Sequence, residues 1–193
     1  ETKKKVFSIQ MFGVNEQGQT ACIHVKEYAP FFYVKVGDDW QENEKIQFVE
    51  QIAMDIGEQY AAAIISTQLV ERKKLYGFDG GKHYNFVQFN FRNEAAMKKV
   101  KGLWYTKAKG DYRLNPDGYC FTIEADDGEE KLYKTILYEA QIPPLLRLFH
   151  IKEISPSGWI DLPRNKTKTI KHKTTSCDQE FSINYNDILP LPQ

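Results

Sequence analysis

The sequence predicts an α+β fold, and three observations predict it. Between Phe31 and Glu139, strand-like segments with alternating apolar residues are interrupted twice by segments with helical spacing. Outside that stretch, both ends of the chain read as nearly all strand. Of 193 residues, 41% are hydrophobic and 27% charged, which is the composition of a packed chain rather than a disordered one. This length holds one compact domain or two small subdomains.

The elements follow in order. Lys5–Val14 has strand composition, and Asn15-Glu16-Gln17-Gly18 offers a turn. Thr20–Lys26 (TACIHVK) alternates apolar and polar residues, as a paired strand does. Pro30 breaks the pattern before a third strand, Phe31–Val36. Ile46, Val49, Ile52, Ala53, Ile56 and Tyr60 then fall at steps of three and four, which predicts a helix with those residues inward. Asp38, Asp39, Glu42 and Glu44 lie before or in its first turn, where the helix dipole favours negative charge. Two strands fit Ile65–Leu75 and Tyr84–Phe91, joined by a turn containing Asp79-Gly80-Gly81. Asn93 is placed to cap a second helix that buries Ala96, Met97, Val100 and Leu103 or Trp104. Tyr119–Glu124, an acidic turn at Asp126-Asp127-Gly128, and Leu132–Glu139 complete the middle stretch.

Strand, helix, strand, strand, helix, strand is the split βαβ, ferredoxin-like order, shared with RNA-recognition folds, here with an extra hairpin before the last strand. The flanks, Lys5–Lys26 and roughly Trp159–Tyr185, are expected to pair with each other. The division predicted is residues 1–30 with 150–193 as a β subdomain, and 31–149 as the ferredoxin-like subdomain.

Charge and cysteine usage narrow the function classes. There are 26 basic and 26 acidic residues, which argues against coating nucleic acid by bulk charge while leaving room for a local patch. Three widely spaced cysteines (Cys22, Cys120, Cys177) form no CxxC, so neither a disulfide framework nor a zinc site is expected. Apolar runs are too short to span a bilayer. The chain begins at Glu1 without a Met, as an excised piece does.

Two segments point to nucleic acid. Lys82–Phe89 (KHYNFVQF) matches six of eight positions of the ribonucleoprotein octamer, with His83 and Asn85 standing where glycine and a small residue are usual. In that reading Lys82 meets phosphate, Tyr84 and Phe86 are stacking platforms, and Tyr33 on the first strand is their companion. The other reading makes Tyr84, Phe86 and Phe89 core residues of an ordinary sheet. Arg164–Lys173 (RNKTKTIKHK) holds one Arg, four Lys and His172, with no acid before Asp178. Arg164, Lys166, Lys168, Lys171 and Lys173 are therefore candidates for phosphate contact from an edge strand or hairpin. Lysines that block edge-to-edge pairing are the alternative.

Catalytic candidates are poor. Asp178-Gln179-Glu180 has the spacing of a metal-binding carboxylate pair but lacks an apolar strand before it. Asp126, Asp127, Glu129 and Glu130 surround one turn with no His partner. His24, His83, His150 and His172 have neither metal-ligand nor triad spacing. Gly80-Gly81-Lys82 lacks the rest of a phosphate loop. No catalytic residue and no metal ligand is assigned.

A run of motifs carries a family resemblance. Phe12-Gly13-Val14 leads to Tyr28-Ala29-Pro30-Phe31-Phe32-Tyr33-Val34. Tyr138-Glu139, Pro143-Pro144, Arg147-Leu148-Phe149 and Ser155-Pro156-Ser157-Gly158-Trp159-Ile160 follow, then Thr175-Ser176-Cys177 and Tyr185–Leu189. In this order and spacing the chain resembles the N-terminal domain of delta-like family B DNA polymerases, most closely those of large (giant) DNA viruses. The resemblance implies a noncatalytic domain that precedes the 3′–5′ proofreading exonuclease, scaffolds it, and guides single-stranded template DNA. It also implies an oligonucleotide-binding-like β element beside the ferredoxin-like unit. Its implied partners are template DNA and the exonuclease and polymerase domains of the same parent chain, with no membrane. The segment itself is expected to hold no cofactor, whereas the parent nucleotidyltransferase uses Mg²⁺. The expected location is intracellular, in the host cytoplasm or nucleus. A stand-alone RNA-recognition-type module, binding single-stranded nucleic acid, is the alternative.

Overall fold

A computed structural model describes residues 6–73, 80–106, 113–124 and 128–191. It is mixed α+β with two compact units: Pro30–Gln141, and a flanking unit made of Glu1–Ala29 with Ile142–Gln193.

The flanking unit begins with β1 (Ile9–Val14) and β2 (Thr20–Lys26), an antiparallel pair with Ile9 opposite Val25. Asn15 shapes their turn, its side-chain oxygen accepting the Gln17 and Gln19 N–H groups at 3.0 and 2.9 Å. Five consecutive residues of β2, Ala21–Val25, are buried. The alternation in TACIHVK therefore does not mark a solvent face: polar His24 is covered as well.

The middle unit starts with β3 (Phe31–Lys35), then α1 (Glu42–Ile56) and a single-turn α2 (Glu58–Ala61). Glu44 accepts the Gln41 N–H at 2.7 Å and closes the first turn of α1. The buried face of α1 is Lys45, Phe48, Ile52 and Ile56, whereas Ile46 is exposed. The helix is rolled from the predicted face because Phe48 is its largest apolar side chain. Its ring packs 5.1–6.4 Å from Trp40, Phe121, Phe89, Tyr119 and Trp104.

β4 (Ile64–Lys73), β5 (His83–Phe91), α3 (Glu94–Lys101), β6 (Tyr119–Glu124) and β7 (Glu130–Tyr138) complete this unit. The sheet order is β4-β5-β3-β7-β6, antiparallel throughout. Asn93 caps α3 by accepting the Ala96 N–H at 2.9 Å. Trp104, buried behind α3, donates its indole N–H to the Thr135 carbonyl at 3.1 Å. Gly118 (φ 65°) sits so close that a Cβ there would lie 2.2 Å from that same carbonyl. The sequence-predicted turns at 79 and 125–127 lie in part or wholly outside the described residues.

The chain then returns to the flanking unit through α4 (Pro144–Ile151), β8 (Ile160–Asp161), β9 (Lys168–Thr169), β10 (Gln179–Asn184) and β11 (Leu189–Pro190). α4 belongs here, not with the middle unit as a break at residue 149 implied. Its Leu148 packs with Ile9, Ile23, Val25, Tyr28, Ile154, Ile183 and Ile188 in the core of the flanking unit. The helix ends with Glu153 at φ 53°, the Glu153 and Ile154 N–H groups donating to His150 and Phe149 carbonyls. β10 lies parallel to β2, giving a sheet of order β1-β2-β10-β9, and β8 pairs with β11. Among the described residues no helix is long and apolar enough to cross a membrane.

Candidate nucleic-acid interface

The basic run forms an ordered ribbon along the β9 edge of the flanking sheet. The Pro163 carbonyl accepts the Lys166 and Thr167 N–H groups at 2.9 and 3.0 Å and the Thr167 hydroxyl at 2.9 Å, so the ribbon opens on a turn. Only Lys168 and Thr169 are strand, opposite Ser182 and Phe181, and the Ile170 N–H extends the ladder to the Glu180 carbonyl at 2.8 Å. The rest is bend and turn, less regular than an edge strand or hairpin.

Arg164, Lys166, Lys168, Lys171, His172 and Lys173 are all exposed. Two of the cations have partners. Lys166 lies 3.8 Å from the Asp187 carboxylate, and Lys173 donates to the Cys177 and Asp178 carbonyls at 2.7 and 3.3 Å. The side chains of Arg164, Lys168 and Lys171 have no ion pair or hydrogen bond among the described residues. Three unneutralised cations on a backbone held at both ends are what a sequence-independent phosphate contact requires.

What holds the far end of the ribbon was not visible as a motif. Glu180, 1% exposed, accepts the Thr175 N–H at 2.5 Å, the Thr175 hydroxyl at 2.6 Å and the Thr174 N–H at 2.8 Å. His24 on β2 lies 3.1 Å from the same carboxylate. The Gln10 amide donates to His24 Nδ1 at 3.4 Å, which leaves Nε2–H to donate to Glu180. These bonds, led by the Thr175 hydroxyl, hold the Glu180 carboxyl down at about 2, against the opposing effect of burial. Asp178 is occupied too, accepting the Thr20 N–H and hydroxyl, each at 2.8 Å. Both carboxylates of Asp178-Gln179-Glu180 thus serve the fold of this loop. Burial pushes the neighbouring Cys22 thiol up, with Glu180 and Cys177 adding to it, the opposite of what a nucleophile needs. Among the described residues no group of three His, Cys, Asp or Glu is placed to hold a metal ion.

The octamer residues lie in the middle unit. Phe86 is 1% exposed, with the Tyr138 and Tyr33 rings 5.2 and 6.1 Å away. Register explains this: Phe86 lies opposite Lys35, and Tyr33 opposite Tyr138, so all four share one sheet face. A ring enclosed to that degree offers no open face to a base. Tyr84 is 9% exposed, with the Lys35 and Lys82 ammonium groups 4.6 and 5.0 Å from its ring centre. Lys82 also lies 3.3 Å from Asp38, while Tyr33 is half-buried. Asn85, odd in the octamer, donates to the Asp38 carbonyl at 3.2 Å and the Trp40 carbonyl at 3.4 Å, tying down the loop after β3.

One apolar face remains in the flanking unit. Leu189 lies opposite Asp161 and Pro190 opposite Ile160, and Leu191 N–H donates to the Trp159 carbonyl at 3.1 Å. Ile160 turns to the core, so Trp159, Leu189 and Leu191 share the outer side, 55%, 46% and 46% exposed.

No protein-family model matches the chain. It is 43% identical over 188 residues to the DNA polymerase of Phaeocystis pouchetii virus, covering 95% of this chain and 17% of that protein. The DNA polymerase of Acanthamoeba polyphaga mimivirus is 26% identical over 98% of the chain, which spans 11% of that protein. The DNA polymerase delta catalytic subunit of Schizosaccharomyces pombe is 25% identical over 99% of the chain, which spans 16% of it. The chain therefore spans less than a fifth of the relatives it matches. Among solved structures, the family B DNA polymerase of Pyrobaculum calidifontis aligns with all of the chain and 20% of its own, at a TM-score of 0.55 and 15% identity, a likeness of fold. Over nearly its whole length the chain is thus similar to an N-terminal part of viral and delta-type DNA polymerases, and its fold is like that of part of a family B DNA polymerase.

Proposed function

We propose that this segment is a noncatalytic domain of a replicative, proofreading DNA polymerase that guides single-stranded template and braces the exonuclease. The observation that carries the template role is the ordered ribbon with Arg164, Lys168 and Lys171 exposed and unneutralised. Lys166 and Lys173 border it and add positive field. The bracing role rests on the outer side of β8 and β11, where Trp159, Leu189 and Leu191 form an apolar surface suited to burial against the remainder of the parent. We read the middle unit as ferredoxin-like from its strand order and the flanking unit as a divergent oligonucleotide-binding-like element. Mg²⁺ would serve the parent's catalytic domains, and the working place is the infected cell, in cytoplasm or nucleus.

The burial of Phe86 weighs against a stand-alone RNA-recognition module, whose binding depends on that ring. Lys82, Tyr84 and Tyr33 then act in the middle unit chiefly as packing and cation–π partners.

The test is template affinity in the full-length parent with Arg164, Lys168 and Lys171 replaced by Gln. Single-stranded DNA binding should weaken at moderate salt, while metal-dependent incorporation at saturating template is retained. Unchanged affinity would remove the template role.

A further inference from the structure

We infer that Glu180 is a positioning residue for the basic ribbon: its buried carboxylate clamps Thr174 and Thr175 and so fixes where Lys171 and the arc around it stand. This deepens the template reading above and rests on it.

The geometry carries the inference. Glu180 and the ribbon are joined twice on one strand. The Glu180 backbone carbonyl takes the Ile170 N–H, and its side chain takes the N–H groups of Thr174 and Thr175 together with the Thr175 hydroxyl. Lys171, His172 and Lys173 lie between those two attachment points, so one residue spans a five-residue arc from Ile170 to Thr174. An arc of lysines left to itself would open, because like charges repel and bend residues have few ladder bonds. The clamp is a buried anion that receives charge-assisted bonds from backbone N–H groups, stronger than neutral ones. It is also sheltered from salt, since His24 and the threonines surround it. Phosphate binding by the ribbon therefore meets a shape that is already set, and loses less in ordering.

Glu180 lies beneath the ribbon and is not itself a phosphate contact. Its role must show through the lysines. The experiment is a double-mutant cycle in the full-length parent, reading single-stranded DNA affinity and its salt dependence. Glu180→Gln keeps the volume and removes the charge, leaving an amide N–H₂ facing hydroxyl and imidazole donors. Glu180→Gln alone should weaken binding about fivefold, the scale of leaving one or two ribbon side chains unordered. In the background where Arg164, Lys168 and Lys171 are already Gln, it should change affinity no further. Trypsin cleavage after Lys171 should be faster in Glu180→Gln than in the unsubstituted protein under conditions where both remain folded.

If Glu180→Gln weakens binding equally in both backgrounds, it acts through the whole unit and the inference fails. If the ribbon substitutions weaken binding and Glu180→Gln does not, the inference fails while the template reading stands. If the ribbon substitutions themselves do nothing, the template reading fails first. Should Glu180→Gln not fold, Thr175→Val removes one clamp bond and leaves the carboxylate with its other partners; the same pattern is expected, and its absence overturns the inference.

Discussion

Phe86 on β5 and Lys168 on β9 both sit on strands, yet one is sealed and the other open. The middle unit has drawn an aromatic-rich strand inward, and the flanking unit has turned a basic one outward. The difference follows from transfer energetics. Burying a Phe ring contributes roughly 1.5–3 kcal/mol, so a ring stays exposed only when nothing is there to cover it. Burying an unpaired ammonium costs far more, so a run of lysines stays at the surface whatever the fold. A charge motif therefore reports surface position directly from sequence, while an aromatic motif reports it only together with the fold.

The comparison can be broken most easily at Phe86. Phe86→Ala should destabilise the chain by about 3–5 kcal/mol in urea unfolding, as a core deletion does. A loss under about 0.5 kcal/mol would mean the ring is a surface platform after all. Acid sharpens the contrast from the other side. The Glu180 carboxyl is held at about 2 by Thr175, Thr174 and His24, below its ordinary 4.5. A depressed carboxyl stabilises the fold fully above its unfolded value and loses that contribution as pH falls through the folded one. Stability of the flanking unit should thus decline between about pH 4.5 and about pH 2, and Glu180→Gln should remove that part of the slope. An unchanged slope in the variant would show the clamp to be absent in solution.

Smaller effects follow. Glu153 holds the left-handed C′ position after α4, where glycine is favoured, so Glu153→Gly should stabilise by about 0.5–1 kcal/mol in thermal unfolding. Lys168→Gln should move stability by less than about 0.5 kcal/mol, since the ammonium has no described partner.

Local chemistry made much of the fold legible. Thr20–Lys26 and Tyr119–Glu124 are strands at the residues their patterns predict, and Asn93 caps its helix. Helical spacing located α1 but not its inward face, because step counting weights Ile46 and Phe48 alike while packing favours the larger ring. The exposed basic run could be read directly. Its clamp could not, since Glu180 and His24 are 156 residues apart and meet only through the parallel pairing of β2 with β10. The one local hint was a Thr-Thr pair just ahead of a strand carrying Glu, a pattern too common to single out.

The most direct test compares the two regions in one assay. Single-stranded DNA affinity of the full-length parent is measured against salt for two variants, one with Arg164, Lys168 and Lys171 changed to Gln and one with Lys82 changed to Gln. The ribbon variant should lower the slope of log affinity against log salt by about 2, three contacts at roughly 0.7 each, and the Lys82 variant should leave it unaltered. A slope that falls with Lys82→Gln and stays constant in the ribbon variant would contradict the account and return the template to the aromatic sheet.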